Sequence, residues 1–353
     1  MEEQRIVFTQ DAGSALMEAL SAAQYDRLFV LADETTERFC LPRLSGAITA
    51  HSPEVITIKA GDTNKNIESL THVWTHLSRH GATRHSLLIN VGGGMVTDLG
   101  GMAASTFKRG IRFINVPTTL LAMVDASAGG KTGINLGGLK NEVGTFCNAQ
   151  EVIIDTGFLE TLDSMNLRSG YAEMLKHSLL DSGQAWAGLM TFDLEQPDLK
   201  RLHWHVMESV EVKKRIVRED PHEKGLRKAL NLGHTAGHAI ESLALLRDKP
   251  VLHGYAVAWG LVCELYLSCK RLGFPHDTML QTVQFIKEHY GVYVFDCKQY
   301  ERLFELMTHD KKNENGVINF TLLAGIGDIR INQQATKDEI FDMLDFYRET
   351  MGC

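Results

Sequence analysis

No C-x-x-C pair occurs among the six cysteines (Cys40, Cys147, Cys263, Cys269, Cys297 and Cys353). That argues against a disulfide framework or a structural zinc knuckle and predicts a reducing compartment. The seven prolines are dispersed, so no proline-rich linker divides the 353 residues. No apolar run is long enough to cross a bilayer, since the longest, VLHGYAVAWGLVCELYL at 251–267, carries His253 and Glu264. The opening residues, MEEQRIVFTQDAG, are acidic and polar and do not read as a signal peptide. Positive charge is in deficit, with 36 Lys and Arg against 44 Asp and Glu. The net charge of −8 excludes indiscriminate nucleic-acid binding but leaves room for a local basic pocket. The expectation is a cytoplasmic protein with neither membrane nor nucleic acid as partner.

A chain of this length predicts two domains. Its first part alternates short β-branched runs with helical spacing. RLFVLAD (27–33), VITIKA (55–60), SLLINVGGG (86–94), RFINVP (112–117) and EVIIDT (151–156) read as strands, with helices at 66–79 and 97–106. Such alternation argues for a parallel sheet covered by helices on both faces. From about Met165 the texture becomes helical, at 168–190, 198–219, 226–246, 253–272, 277–289, 298–309 and 336–350, with only VINFTLLAGIG (317–327) extended. The expected architecture is an α/β domain over 1–165 followed by a mostly α-helical domain over 166–353.

The run Leu87 to Val91 enters a helix through Gly92, Gly93 and Gly94. The triplet serves either as a tight strand–helix turn or as a phosphate cradle, where bare backbone and a helix N-terminus receive a pyrophosphate. Asp98, Gly100 and Gly101 follow, and glycines there allow something to pack closely on the helix. The segment 115–141 is dense in small and polar residues and reads as a functional or a surface loop. Its Gly-Gly-Lys-Thr (129–132) is not a P-loop, because the required first glycine is Asp125. Asp125 and Lys131 read as inward-facing polar groups between apolar runs. In the second half, NLGHTAGHAIES places His234 and His238 at i, i+4, His253 follows, and GYAEMLKH offers Glu173, Lys176 and His177. Two histidines and a carboxylate are the ligand set of an open catalytic zinc site; a histidine pair at this spacing is more often incidental, but Gly233 and Gly237 imply close approach of a ligand or a neighbouring element. Arg227, Asn231 and His234 fall at spacings of four and three, one helical stripe suited to a phosphorylated, hydroxylated substrate.

GGGMVTDLGG, KRGIRFINVPTTLLAMVDASAGGKTGIN, GLKNEVGTF, GYAEMLKH, GLRKALNLGHTAGHAIE and HDKK together resemble the 3-dehydroquinate synthase family, over about residues 30–327. The resemblance implies an N-terminal Rossmann-like, NAD-binding α/β domain and a mostly helical metal- and substrate-binding domain. It implies a homodimer that converts 3-deoxy-D-arabino-heptulosonate 7-phosphate to 3-dehydroquinate and phosphate, with NAD+ regenerated in each turnover. By motif, the NAD+ site would comprise Asp33, Asp62, Lys65, Gly92, Gly93, Gly94, Asp98, Thr118, Thr119, Asp125, Lys131, Lys140, Asn141, Phe158 and Thr161. Zn2+ or Co2+ would be held by Glu173, His234 and His253. Substrate would meet Arg109, Asp125, Lys131, Lys176, Lys213, Arg227, Asn231, His238, Lys311 and Lys312. Lys131, Lys176, Glu223, Arg227, Asn231 and His238 would be the catalytic set. Here the resemblance departs from spacing alone, which makes His238 a metal ligand.

Four departures from the family pattern stand out. Asp62 replaces the usual glutamate, His253-Gly254-Tyr255 replaces H-G-E, the interval from His238 to His253 is a few residues longer, and Asp220-Pro221-His222-Glu223 replaces D-E-x-E. Tyr255 and the longer interval bear on how the ligands are oriented more than on whether they bind. Two rival readings share the scaffold, another sugar-phosphate cyclase and a metal- and NAD-dependent alcohol or glycerol-type dehydrogenase. A non-catalytic NAD- or metal-binding regulator is a third, favoured only by Tyr255.

Overall fold

The computed structural model describes residues 4–137, 139–308 and 317–353, so Lys311 and Lys312 lie outside the described residues. Runs of consecutive apolar residues make the first unit's sheet. Strands β1 (Arg5–Thr9), β2 (Leu28–Asp33), β3 (Glu54–Ile58), β4 (Leu87–Gly92), β5 (Arg112–Pro117) and, after the hairpin described below, β8 (Glu151–Asp155) are all parallel, in the order β1-β8-β5-β4-β2-β3. Every residue of β2, β4 and β8 is buried, the pattern of strands covered on both faces. The chain runs from β2 outward to β3, then crosses back to β4 on the other side of β2. That reversal makes a crevice at the carboxyl ends of β2 and β4, where such sheets receive ligands. Register Ala32↔Val91 sets Asp33 and Gly92 side by side at its mouth.

Two of this unit's elements run against expectation. β1 (RIVFT) is an edge strand absent from the sequence reading. The segment read as a loop contains an antiparallel hairpin, β6 (Lys131–Leu136) with β7 (Leu139–Phe146). Its alternation is masked by glycines that the pairing itself requires, since a Cβ on Gly144 would lie 2.2 Å from the Thr132 carbonyl oxygen.

The second unit is mostly helical. Its helices include Ser164–Asp181, Gly183–Met190, His234–Leu246, His253–Leu272, His276–Tyr290, Tyr300–Thr308 and Lys337–Met351, with a hairpin of β9 (Asn319–Gly325) and β10 (Asp328–Gln334). It comprises Ser164–Asp198 and Glu211–Cys353; Leu199–Val210 belongs to the first unit, so the helix Leu199–Glu219 contributes to both. Three expected helices are corrected. The one at 168–190 is two, because Ser182 is extended and its hydroxyl accepts from the Ala185 N–H to cap a new helix. The one at 298–309 starts as a short 3-10 turn, Cys297–Gln299. The one at 226–246 is a 3-10 turn, Leu226–Asn231, and a separate helix from His234, divided by Gly233 at φ +78°. Arg227, Asn231 and His234 therefore do not form a continuous helical stripe. Among the described residues, no helix is long and apolar enough to cross a membrane.

Candidate active site

Three helices of the second unit carry Glu173, His234 and His253, and glycines let those helices touch. A Cβ on Gly254 would lie 1.8 Å from the Ser169 carbonyl oxygen, and one on Gly260 would lie 1.9 Å from that of Gly233. Helix Ser164–Asp181 is buried without a break from Ser169 to Leu180, so Glu173 stands wholly inside the unit. His234 and His253 are each the first residue of a helix.

Glu173 Oε1 lies 3.5 Å from His234 Nε2 and 3.5 Å from His253 Nε2. Each imidazole has its other nitrogen on an acceptor: His234 Nδ1 is 3.1 Å from the Leu232 carbonyl oxygen, and His253 Nδ1 is 3.5 Å from Glu241 Oε2. Those acceptors hold each ring by its Nδ1 and leave both Nε2 atoms facing Glu173 Oε1. Lys176 Nζ donates to the other carboxylate oxygen, with both side chains buried. Burial alone would lower the His253 pKa, but the Glu173 and Glu241 carboxylates outweigh it and push it up to about 10. A pocket that holds a proton so firmly favours positive charge, and two imidazoles with a carboxylate are a fitting donor set for a divalent ion. Ring nitrogens of His234, His238 and His253 lie within 4.8 Å of one another, so His238 reaches the same place. The sequence reading missed Glu241, seven residues after His234, because nothing in the sequence marks it as facing His253.

In the same unit, Lys213 and Arg227 are buried. The Asp220 carboxylate accepts N–H bonds from Lys224 (3.0 Å), Gly225 (2.6 Å) and Arg227 (3.1 Å). It thereby folds the 220–227 loop that carries Glu223 and Arg227. The guanidinium of Arg227 donates to the Pro221 carbonyl at 2.7 Å, and Asn231 Nδ2 donates to Glu223 Oε1 at 3.2 Å.

In the first unit, helix Gly94–Thr106 begins at Gly93 with no side-chain cap, leaving its first amides for a ligand. A Cβ on Gly93 would approach Thr119 to 3.1 Å, and one on Gly100 would enter the Asn90 side chain at 2.0 Å. The Thr118 N–H donates to the Gly92 carbonyl at 3.0 Å, joining the loop after β5 to the glycine loop. Lys65 Nζ is buried, donating to Asp98 Oδ2 and to Asn141 Oδ1 (2.5 Å). Asn135, one of the polar residues of the 115–141 segment to which the sequence assigned no role, links the rest. Its N–H donates to the Lys65 carbonyl (2.8 Å), its Oδ1 accepts from the Asn141 N–H (2.9 Å), and its Nδ2 donates to the Asp62 carbonyl (3.1 Å). Lys140 Nζ is 3.5 Å from Asp62 Oδ2. Five expected cofactor residues thus form one network. Asp33 caps helix Glu34–Phe39 by accepting from Thr35 and Thr36.

Asp125 sits in the π-turn Ala122–Ala126 after β5, and Lys131 opens β6. Phe158 and Thr161 occupy the turn after β8, at the same end of the sheet as the glycine loop; Phe158 is buried and Thr161 Oγ1 donates to its carbonyl at 3.4 Å. Arg109 is not brought to them. At φ +70° it precedes β5, at the opposite end of the parallel sheet, beside Thr83, Arg84, His85 and Lys108. Another His and Glu group in this unit, Glu54, His76 and His80, is a poor metal centre. The two rings stack at 4.0 Å with planes 17° apart, so their lone pairs run parallel rather than converge.

A parallel sheet with an uncapped glycine loop, and a helical unit that gathers Glu173, His234 and His253, make a fold that this chain shares with dehydroquinate synthase-like synthases. The 2-epi-5-epi-valiolone synthase of Streptomyces hygroscopicus subsp. jinggangensis, solved with NAD+ and Zn2+ bound, superposes with a TM-score of 0.86. It is 26% identical, over 99% of this chain and 98% of that one. A 2-deoxy-scyllo-inosose synthase, solved with carbaglucose-6-phosphate, NAD+ and Co2+, matches with a TM-score of 0.82 at 22% identity, over 98% and 96% of the two chains, and speaks for the fold alone. Residues 55–169 match the model of the 3-dehydroquinate synthase N-terminal domain, and residues 170–313 that of its C-terminal domain. The 3-dehydroquinate synthase of Parabacteroides distasonis is 54% identical over 352 residues, the full length of both chains. The chain belongs to the 3-dehydroquinate synthase family, and its function is that of this lyase-class enzyme.

Proposed function

We propose that this chain binds NAD+ through the first unit and Zn2+ or Co2+ through Glu173, His234 and His253, and converts 3-deoxy-D-arabino-heptulosonate 7-phosphate to 3-dehydroquinate and phosphate. The observation that carries the reading is the meeting of both histidine Nε2 atoms on one oxygen of a buried glutamate. When bound, NAD+ supplies a hydride acceptor and the divalent ion polarises the substrate's oxygens. The residues of the chain do the rest. Gly93 and Gly94 offer free amides to a pyrophosphate, while Asp33, Asp62, Lys65, Asp98, Thr118, Thr119, Lys140, Asn141, Phe158 and Thr161 shape the surrounding cofactor site. Lys176, Lys213, Arg227 and Asn231 supply the donors for the substrate's carboxylate and phosphate, which explains buried cations in an acidic protein. Asp125, Lys131 and the Lys311-Lys312 pair complete the proposed substrate contacts, from which Arg109, at the opposite end of the sheet, is withdrawn.

His238 is assigned to proton transfer rather than to the metal, because Glu173 Oε1 pairs with the other two imidazoles. Glu223, hydrogen-bonded to Asn231, is assigned as the other acid/base group. A homodimer in the cytoplasm, serving aromatic amino acid biosynthesis through the shikimate route, is the setting that fits.

Incubating the protein with NAD+, Zn2+ and the heptulosonate phosphate tests this. Phosphate release without NADH accumulation is expected. Net NADH formation would identify the dehydrogenase chemistry instead, and phosphate release from the metal-free His234→Ala variant would refute the assigned centre.

A further inference from the structure

Helix His253–Leu272 buries every residue from Ala256 to Leu265, and one of them is a carboxylate. Glu264 has no exposed surface, and the chemistry assigned above does not use it. A buried carboxylate is costly unless fixed donors surround it, so its partners reveal its task. Glu264 Oε2 accepts from the Gly233 N–H at 2.6 Å, and Oε1 accepts from the Ala236 N–H at 3.1 Å. These two amides bracket His234 at the start of its helix, where no side chain of the helix's own cap bonds them. A negative charge there also meets the positive end of the helix dipole.

The local geometry is built for this contact. Gly260 and Glu264 are four residues apart and share a helix face. Gly260 lets that face close on Gly233, and Gly233 needs its left-handed φ of +78° to turn the chain into the helix. A Cβ on Gly233 would in addition lie 2.9 Å from Leu261. Glu264 thus clamps both sides of the residue whose Nε2 faces Glu173.

We infer that Glu264 is a positioning residue of the metal centre: it clamps the backbone on both sides of His234, so that the imidazole is aimed before any ion arrives. The inference rests on His234 being a ligand. Glu264 touches neither metal nor substrate in this role and acts through the Gly233 and Ala236 amides. Glu264→Gln keeps the shape but puts an NH2 group against one of those two N–H donors, leaving a single acceptor.

Zinc affinity, read by competition with a chromophoric chelator and without turnover, should weaken about tenfold or more in Glu264→Gln. The visible spectrum of the Co2+-loaded variant should shift, while NAD+ affinity stays within twofold. Glu264→Asp, which keeps the charge on a shorter arm, should fall between the two. Zinc affinity and cobalt spectrum unchanged in a folded but less stable Glu264→Gln would make the residue merely structural and overturn the inference. Hydrogen exchange on the unaltered protein decides the matter even if neither variant folds. The Gly233 and Ala236 amides should be protected with and without zinc, and exchange at the rate of an open loop in the metal-free protein would overturn the clamp. If the unaltered protein binds no zinc while both amides are protected, it is the metal assignment that fails, not the contact.

Discussion

Around Glu173 the side chains are sunk among helices that meet at glycines, and each histidine has its Nδ1 on a fixed acceptor. Around Lys65 the material differs: a glycine loop, a 3-10 turn and a hairpin whose second strand is almost wholly exposed, tied by one asparagine and one buried lysine. The contrast fits what each region is proposed to hold. A divalent ion demands a few donors at set distances, so its ligands need rigid supports. A dinucleotide is long and mostly contacts backbone, so a loop with bare amides and polar arms suffices. The first region is therefore expected to fail through packing and stranded charge, the second through lost hydrogen bonds.

The largest effect should come from Glu173→Ala. It strands the fully buried Lys176 ammonium, and the metal-free protein should lose about 3–5 kcal/mol in denaturant unfolding. A loss under about 1 kcal/mol would mean that Lys176 is not held as a charged partner. Next comes Gly260→Ala, whose Cβ would meet the Gly233 carbonyl oxygen at 1.9 Å. Overpacking of that kind should cost about 3 kcal/mol and weaken zinc binding. Gly183→Ala, with open space around the added methyl, is the control and should be neutral or slightly stabilising. Equal effects at the two positions would break the distinction drawn between them.

Lys65→Met tests the other region. Loss of a charge-assisted bond worth about 1.5–3 kcal/mol should weaken NAD+ binding roughly 10- to 100-fold, measured calorimetrically, with zinc affinity unchanged. A matching drop in zinc affinity would show that the two regions are not independent.

The smallest effect concerns acid. Burial tends to raise the Asp220 pKa, but the backbone N–H groups of Gly225, Lys224 and Arg227 outweigh it and hold the carboxyl below the usual range. A depressed carboxyl contributes stability above its ordinary pKa and loses it as pH falls through the folded value. The 220–227 loop should therefore loosen only below about pH 4. In Asp220→Asn that acid-dependent step, followed by proteolysis of the loop across a pH series, should vanish.

The sequence made β2, β4, β5 and β8 legible because strands buried on both faces are plain apolar runs. It hid β1, an edge strand, and the β6–β7 hairpin, whose strand glycines Gly133 and Gly144 serve cross-strand contact. His234 and His253 stood out through histidine spacing and the family resemblance. Glu241 and Glu264 did not, because their partners lie on other helices and only the crossing brings them together. The continuous helix expected over 226–246 failed at Gly233, whose left-handed turn is what starts the helix at His234. Arg109, which the family resemblance groups with the substrate contacts, lies at the opposite end of the parallel sheet from the glycine loop.

Anomalous diffraction at the zinc edge from zinc-loaded crystals tests the central claim most directly. The account predicts one peak about 2.0–2.2 Å from a Glu173 carboxylate oxygen, His234 Nε2 and His253 Nε2. A peak bound by His238 in place of one of these, or no peak among them at full zinc occupancy in solution, would contradict it.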